Sequence, residues 1–334
     1  MMKALVMMAA LAAAAAGCGR AGGVAAGERA TALADGALAP VDVLIPWGAG
    51  DDEVGFRPKG DGTPSQGPWS IAAMPGGGVV VLDALNGKIL DVSPDGGVQV
   101  VGRVPWHVRG LAAGPDGEVA AWSPVTAQIM LFSNGAPAMM NAARHLVNGR
   151  GIDLGPSKTV TLRTAYQERF ILGSPSAAVG WPQVLLTKLE GEFPWDEGRG
   201  LQVVLDAASR PVLQAVPQRP GQIKASPETL WALDRPVSSA RIVGTNETGI
   251  VCLETETIVS QIPVGVEKKL VCGRPADGTV LLDLSVPGAG TFSSMNDAAL
   301  SSEIPVLAVM WPETGGLRVR SFVLGEGVGK EGKP

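Results

Sequence analysis

Few side chains in this sequence could do chemistry. Three cysteines (Cys18, Cys252 and Cys272) and two histidines (His107 and His145) stand in a chain of 334 residues. They do not cluster, so no His or Cys site for a transition metal is expected. The nucleophile elbow G-x-S-x-G, the zinc-protease motif H-E-x-x-H and the Walker A loop are absent from the sequence. The loop Gly48-Ala49-Gly50-Asp51-Asp52-Glu53 offers adjacent carboxylates of the kind Ca²⁺ takes. It lacks the alternating spacing of an EF-hand, and a solvated acidic loop is the plainer reading. No catalytic residue, metal ligand or cofactor is assigned on this basis. Recognition remains: Trp106, His107 and Arg109, with Arg150 further along, combine the aromatic and guanidinium groups that dominate binding hot spots. Trp106 also reads as packing between repeats, because Trp69 holds the equivalent place one repeat earlier.

Cys18 sits in a different setting. Lys3 is followed by an unbroken apolar run from Ala4 to Ala16, too short for a bilayer, which needs about 20 residues, but suited to a secretory leader. The leader, residues 1–17, ends in Ala15-Ala16-Gly17-Cys18, which resembles the lipobox of bacterial lipoproteins with Ala15 in place of the usual Leu. That resemblance implies cleavage before Cys18 and lipidation of its side chain. Several acyl chains together hold a protein on a membrane effectively permanently. Residues 18–40 then read as the lipidated cysteine and a Gly- and Ala-rich tether, with a reach of about 25 Å by random-coil scaling. Gly19 after the cysteine, rather than Asp, resembles the sorting pattern for the outer membrane of a Gram-negative envelope.

The formal net charge is −5, and loss of the leader, which carries Lys3, makes it one unit more negative. No basic run exceeds Lys268-Lys269, which argues against nucleic acid or anionic headgroups as partners. With Cys18 assigned to lipid, Cys252 and Cys272 form an even pair that an oxidising compartment would close. Two buried thiols on non-adjacent strands are the alternative, since a three-strand meander would hold them too far apart to bond.

These residues must be positioned by a scaffold rich in turns. The sequence contains 45 Gly and 26 Pro, with 46% hydrophobic and 18% charged residues, which excludes long-helix and coiled-coil architectures. Most Gly and Pro fall between short apolar runs, the pattern of an all-β module. The chain also repeats itself about every 40 residues: Pro68-Trp69-Ser70-Ile71 through Val79-Val80-Val81-Leu82-Asp83 returns as Pro105-Trp106-His107-Val108 through Val119-Ala120-Ala121-Trp122-Ser123. A later copy runs from Pro220 to Asp234, and weaker ones begin near Gly151 and Arg274. Each copy reads as short strands joined by tight turns: Pro-x-Gly fixes one turn, and Asn86-Gly87 is a type I′ hairpin signal. Three to four antiparallel strands per repeat match one blade of a β-propeller.

Val81-Leu82-Asp83-Ala84-Leu85-Asn86-Gly87-Lys88-Ile89 resembles the blade motif of NHL and SMP-30-type propellers, with Lys88 for the usual Arg. The expected fold is a β-propeller over residues 41–325 with six four-stranded antiparallel blades, seven being the alternative count. Val41 to Pro46 is expected to complete the last blade beside Gly316 to Leu324, and residues 326–334 to form a polar tail. The SMP-30 resemblance implies a channel metal held by a Glu, an Asn and an Asp; Asn148, Asp153 and Asp234 are scattered candidates, none in a matching motif. The expectation is a membrane-anchored envelope lipoprotein whose propeller is a non-catalytic platform for an envelope protein or a small ligand. A metal-dependent hydrolase or lactonase and a structural subunit of an envelope complex are the alternatives.

Overall fold

The computed structural model describes residues 40–60, 64–133, 137–141, 149–155, 158–173, 187–196, 198–218, 226–262, 264–288, 294 and 296–325. The leader, Cys18, the tail at 326–334, His145 and Asn148 lie outside these described residues. Among the described residues no helix is long and apolar enough to cross a membrane.

Apolar runs separated by Gly-containing turns give 24 strands, arranged as six four-stranded antiparallel sheets. The first strand, β1 (Asp42–Pro46), is set aside for the last blade. Blade 1 holds β2 (Ser70–Ala73), β3 (Val79–Asp83), β4 (Lys88–Val92) and β5 (Val98–Arg103). Blade 2 follows with β6 (Gly110–Ala113), β7 (Val119–Ser123), β8 (Gln128–Phe132) and β9 (Ala138–Asn141). Blade 3 comprises β10 (Gly149–Leu154), β11 (Val160–Thr164), β12 (Glu168–Gly173) and β13 (Thr187–Glu190). Blade 4 begins with a two-residue inner strand, β14 (Phe193–Pro194), and continues with β15 (Arg199–Leu205), β16 (Pro211–Pro217) and β17 (Glu228–Ala232). Blade 5 is β18 (Ser239–Thr245), β19 (Val251–Gln261), β20 (Val264–Arg274) and β21 (Thr279–Val286). Blade 6 takes β22 (Ala298–Leu300), β23 (Val306–Glu313) and β24 (Gly316–Val323), and β1 completes it by pairing with β24 from Asp42↔Arg320 to Pro46↔Gly316. The fold is therefore a six-bladed β-propeller, closed by the early strand as expected.

The glycines of the Pro-x-Gly turns adopt the left-handed backbone the turns need, with φ of +83° at Gly77 and +81° at Gly117. The turn at Asn86-Gly87 departs from the type I′ expectation, because only Gly87 has positive φ. Asn86 holds the turn through its side chain, donating from Nδ2 to Asp83 Oδ2 (2.7 Å) and to Gly48 O (2.8 Å). Asp83 also accepts Gly55 N–H at 3.0 Å, and the fully buried Lys88 ammonium donates to Gly50 O. The motif thus clamps the 48–55 segment onto blade 1. Within that segment two of the three acidic side chains are engaged: Glu53 accepts Gly50 N–H and Asp51 pairs with Arg103.

Blades pack face to face, and five of the six junctions carry a buried apolar cluster. Ile45, Ile71, Leu90 and Met310 fill the junction of blades 6 and 1. Leu82, Ile89, Leu111 and Met130 fill that of blades 1 and 2. Trp122, Ile129, Ile152 and Leu162 lie between blades 2 and 3, Leu201, Trp231, Ile242 and Leu253 between 4 and 5, and Leu270, Leu281, Leu307 and Val309 between 5 and 6. Among the described residues the junction of blades 3 and 4 has no such cluster. Blade 5 differs in another way, since its β19–β20 hairpin runs past both flanking strands and leaves Ile258, Val259, Ile262 and Val264 exposed. Lower in the same hairpin Cys252 and Cys272 face each other across the ladder and are joined by a disulfide. Their strands, β19 and β20, are paired neighbours rather than the outer strands of a meander that would have kept them apart.

Candidate functional site

Because strands alternate in direction, the turns from first to second strand of every blade share one face of the ring. The connections between blades, and the turns from second to third strand, share the other. A cavity of about 380 Å³ occupies the axis and is lined by residues of all six inner strands. Its mouth lies at the ends of those strands, at Ala73, Ala113, Leu154, Thr245 and Leu300, so it opens on the first face. From the axis it extends over blade 3, where Thr161, Arg163, Arg169, Ile171 and Leu189 line it. Side chains on one side of a sheet recur every second residue, and the register places these together: Thr161 opposite Ile171, Arg163 opposite Arg169, Arg169 opposite Leu189. This is the side of blade 3 that faces blade 4, whose Phe193 lies 4.5 Å from the Arg163 guanidinium. The cavity thus fills the junction without an apolar cluster.

The deep end is charged. Arg163 donates from Nε to Asp153 at 2.8 Å and from Nη1 to Glu192 at 3.3 Å. Burial raises the Glu192 carboxyl above the usual carboxylate range despite the charges of Arg163, Arg150 and Arg241. On β18, before the cavity-lining Val243, Arg241 forms a two-pronged pair with Glu254, both contacts 2.8 Å, and donates to Asn296 Oδ1 at 3.2 Å. Lys268 completes the cluster, 2.6 Å from Asp297 and 3.4 Å from Glu254. Burial alone would raise the Glu254 carboxyl, but the Arg241 charge and hydrogen bonds, with Lys268, outweigh it and hold it at about 2. Asp297 is raised, by burial first and then by Glu254.

The residues expected for recognition lie elsewhere. Trp106, His107 and Arg109 are on the β5–β6 connection, on the face opposite the mouth. Trp106 is 68% exposed, so its packing reading is corrected: the ring stands in solvent while Trp122 and Trp231 are buried. His107 Nδ1 lies 2.7 Å from Ser123 Oγ, and Arg109 stacks on Trp69 at 4.1 Å and donates to the carbonyls of Trp106 and Val108. Arg150, the second residue of β10, is exposed and bears electrostatically on Glu192, so it belongs with the channel. Of the scattered metal candidates, Asp153 lines the cavity but accepts from Arg163, and the Asp234 side chain is 97% exposed. Glu192, Glu254 and Asp297 each already face a guanidinium or ammonium group. A dication in this donor set would sit among Arg163, Arg241 and Lys268, and among the described residues no three His, Cys, Asp or Glu are grouped to hold one; the set does not fit the implied metal. Of the charges that build the channel, the sequence pointed to Asp153 and Arg150 only; the signal for the others is that Arg163 in Val160-Thr161-Leu162-Arg163 and Glu254 in Val251-Cys252-Leu253-Glu254 interrupt apolar strand runs.

Fold and site together define a six-bladed propeller with a charged axial channel and one mouth cavity. No family model matches the sequence, and no curated protein matches it. Among solved structures, a PQQ-bound aldose sugar dehydrogenase from Streptomyces coelicolor is similar at 14% identity, with a TM-score of 0.46 over 76% of this chain and 93% of that one. A calcium-binding regucalcin from Agrobacterium tumefaciens is similar at 14% identity, with a TM-score of 0.46 over 79% and 92%. A gluconolactonase from Xanthomonas campestris is similar at 13% identity, with a TM-score of 0.42 over 76% and 85%. Each is a likeness of chain path, and none assigns an activity to this protein.

Proposed function

We propose that the chain is a lipid-anchored propeller of a bacterial cell envelope that binds a small organic molecule in the axial cavity. The anchor at Cys18 rests on the leader and the Ala15-Ala16-Gly17-Cys18 sequence, and the outer-membrane location on Gly19 after the cysteine. The observation that carries the binding reading is the position of the cavity: it lies at the ring axis, lined by all six inner strands, and extends over blade 3 to a junction where the described residues form no apolar cluster. Concave sites with a mostly apolar wall and a few convergent polar groups are the usual form of small-molecule sites. Small side chains, Ala72, Ala73, Ala112 and Ala113 among them, keep the mouth wide. Substituting Ala113→Phe should narrow it without disturbing the ring. Mass spectrometry of the purified full-length protein is expected to find a co-purifying small molecule with wild type and not with Ala113→Phe. Identical small-molecule content in both would overturn the assignment of the cavity as the binding site.

A hydrolytic reading of the same cavity is favoured by one observation, the Glu192 carboxyl that lines it, buried beside Arg163 and raised in proton affinity by that burial, as general acid–base groups often are. It predicts turnover of a lactone or ester that persists in the presence of a chelator and is lost in Glu192→Gln. Binding without turnover leaves the platform reading in place.

A further inference from the structure

Arg169 is a buried charge of the cavity wall. Its side chain lines the wall and it is 5% exposed, yet it makes no hydrogen bond or ion pair with any described residue. The carboxylate that bears on it electrostatically, Asp153, is bonded to Arg163. Arg163 stands directly opposite Arg169 in the β11–β12 ladder, so two cationic side chains leave the same sheet face at paired positions. Directly opposed like charges are destabilising, and a buried cation without a partner is more so. Burial pushes the Arg169 guanidinium down from its ordinary value, with Asp153 opposing from a distance. The surrounding wall is apolar, formed by Leu154, Ile171, Leu189 and Phe193.

We infer that Arg169, flanked by Arg163, is the anchor for the anionic headgroup of the cavity's ligand, a small monoanion with an apolar body. The inference rests on the binding reading given above. A guanidinium offers a planar fork that matches a carboxylate, and the ligand's headgroup supplies the charge that the described residues do not. The rim limits that charge to one. Glu247 and Glu303 line the mouth, and Glu303 is raised by burial and by the charges of Glu247 and Asp116, so a second negative charge on the ligand would meet carboxylates.

Titration calorimetry of the full-length protein with three probes of similar size tests this: 3-phenylpropanoate as the monoanion, 3-phenylpropanamide as the neutral form and benzylmalonate as the dianion. Wild type is expected to bind the monoanion at least about tenfold tighter than either of the others, a difference of about 1.4 kcal/mol. Arg169→Met should lose that preference while still binding the amide, and Arg169→Lys should keep part of it. Without ligand, Arg169→Met should melt at or above the wild-type temperature, because an uncompensated buried charge has been removed; a lower melting temperature would show that Arg169 is a structural residue. Equal binding of acid and amide by wild type, or an anion preference that survives in Arg169→Met, would overturn the anchor and leave the cavity reading standing. Failure of all three probes to bind wild type would overturn both.

Discussion

Asp83, Asn86 and Lys88 fix a loop to a blade through a handful of directed bonds. The Lys88 ammonium, wholly buried, answers the Asp83 carboxylate at 3.9 Å and a backbone carbonyl. Lys88→Met keeps the volume of the stem but leaves Asp83 buried without its cation. We expect a loss of about 3–5 kcal/mol in denaturant unfolding, with Lys88→Arg retaining most of the stability. An unchanged midpoint in Lys88→Met would mean the clamp contributes little. These three residues were legible in the sequence because they lie within six consecutive positions of one blade motif. Arg169 was not, because its meaning depends on Arg163 across a ladder and on blade 4 across a gap. Trp106 was misread for a related reason: equivalence of position between repeats does not fix whether the ring turns inward or outward.

Blade 5 carries the channel's densest charge, and its behaviour in acid follows from Glu254. Its folded carboxyl, at about 2, lies below the ordinary value of 4.5, so its stabilising contribution is full above pH 4.5 and is lost as the pH falls towards 2. Asp297, raised, acts in the opposite sense and favours the folded state at acid pH. The stability gap between wild type and Glu254→Gln, followed by thermal melting, should therefore close between pH 4.5 and 2. A gap independent of pH would count against the Arg241–Glu254 pair as its source. Strand existence in this blade was readable from the β-branched residues of Val251 to Val259 and from the turn at Asp277-Gly278. The length of its central hairpin was not, since exposed Ile258, Val259, Ile262 and Val264 imitate core residues in a one-dimensional pattern.

The ring as a whole depends on β1, whose Ile45 is fully buried between the last blade and the first. Ile45→Ala should lower the stability of the entire propeller by about 2–5 kcal/mol, whereas Leu44→Ala, at a 39% exposed position on the same strand, should leave it nearly unchanged. Equal effects at the two positions would argue against closure as a stabilising element. Closure was accessible from the leftover strand at the start of the propeller, whereas a repeat of about 40 residues left six and seven blades both open, because the loops that lengthen the middle blades carry no repeat signal. The junction of blades 3 and 4 was not accessible, because the absence of a cluster between distant segments leaves no local pattern. Closure also places the protein in time. Strand β1 is among the first parts of the propeller to be synthesised and its partner β24 is among the last. At about 5–20 residues per second the roughly 270 residues between them take on the order of 15 to 50 s to make. Throughout that interval Asp42 to Pro46 is an unclaimed strand, open to any other edge it meets. A cavity lined by all six inner strands is incomplete until the inner strand of the last blade has been made.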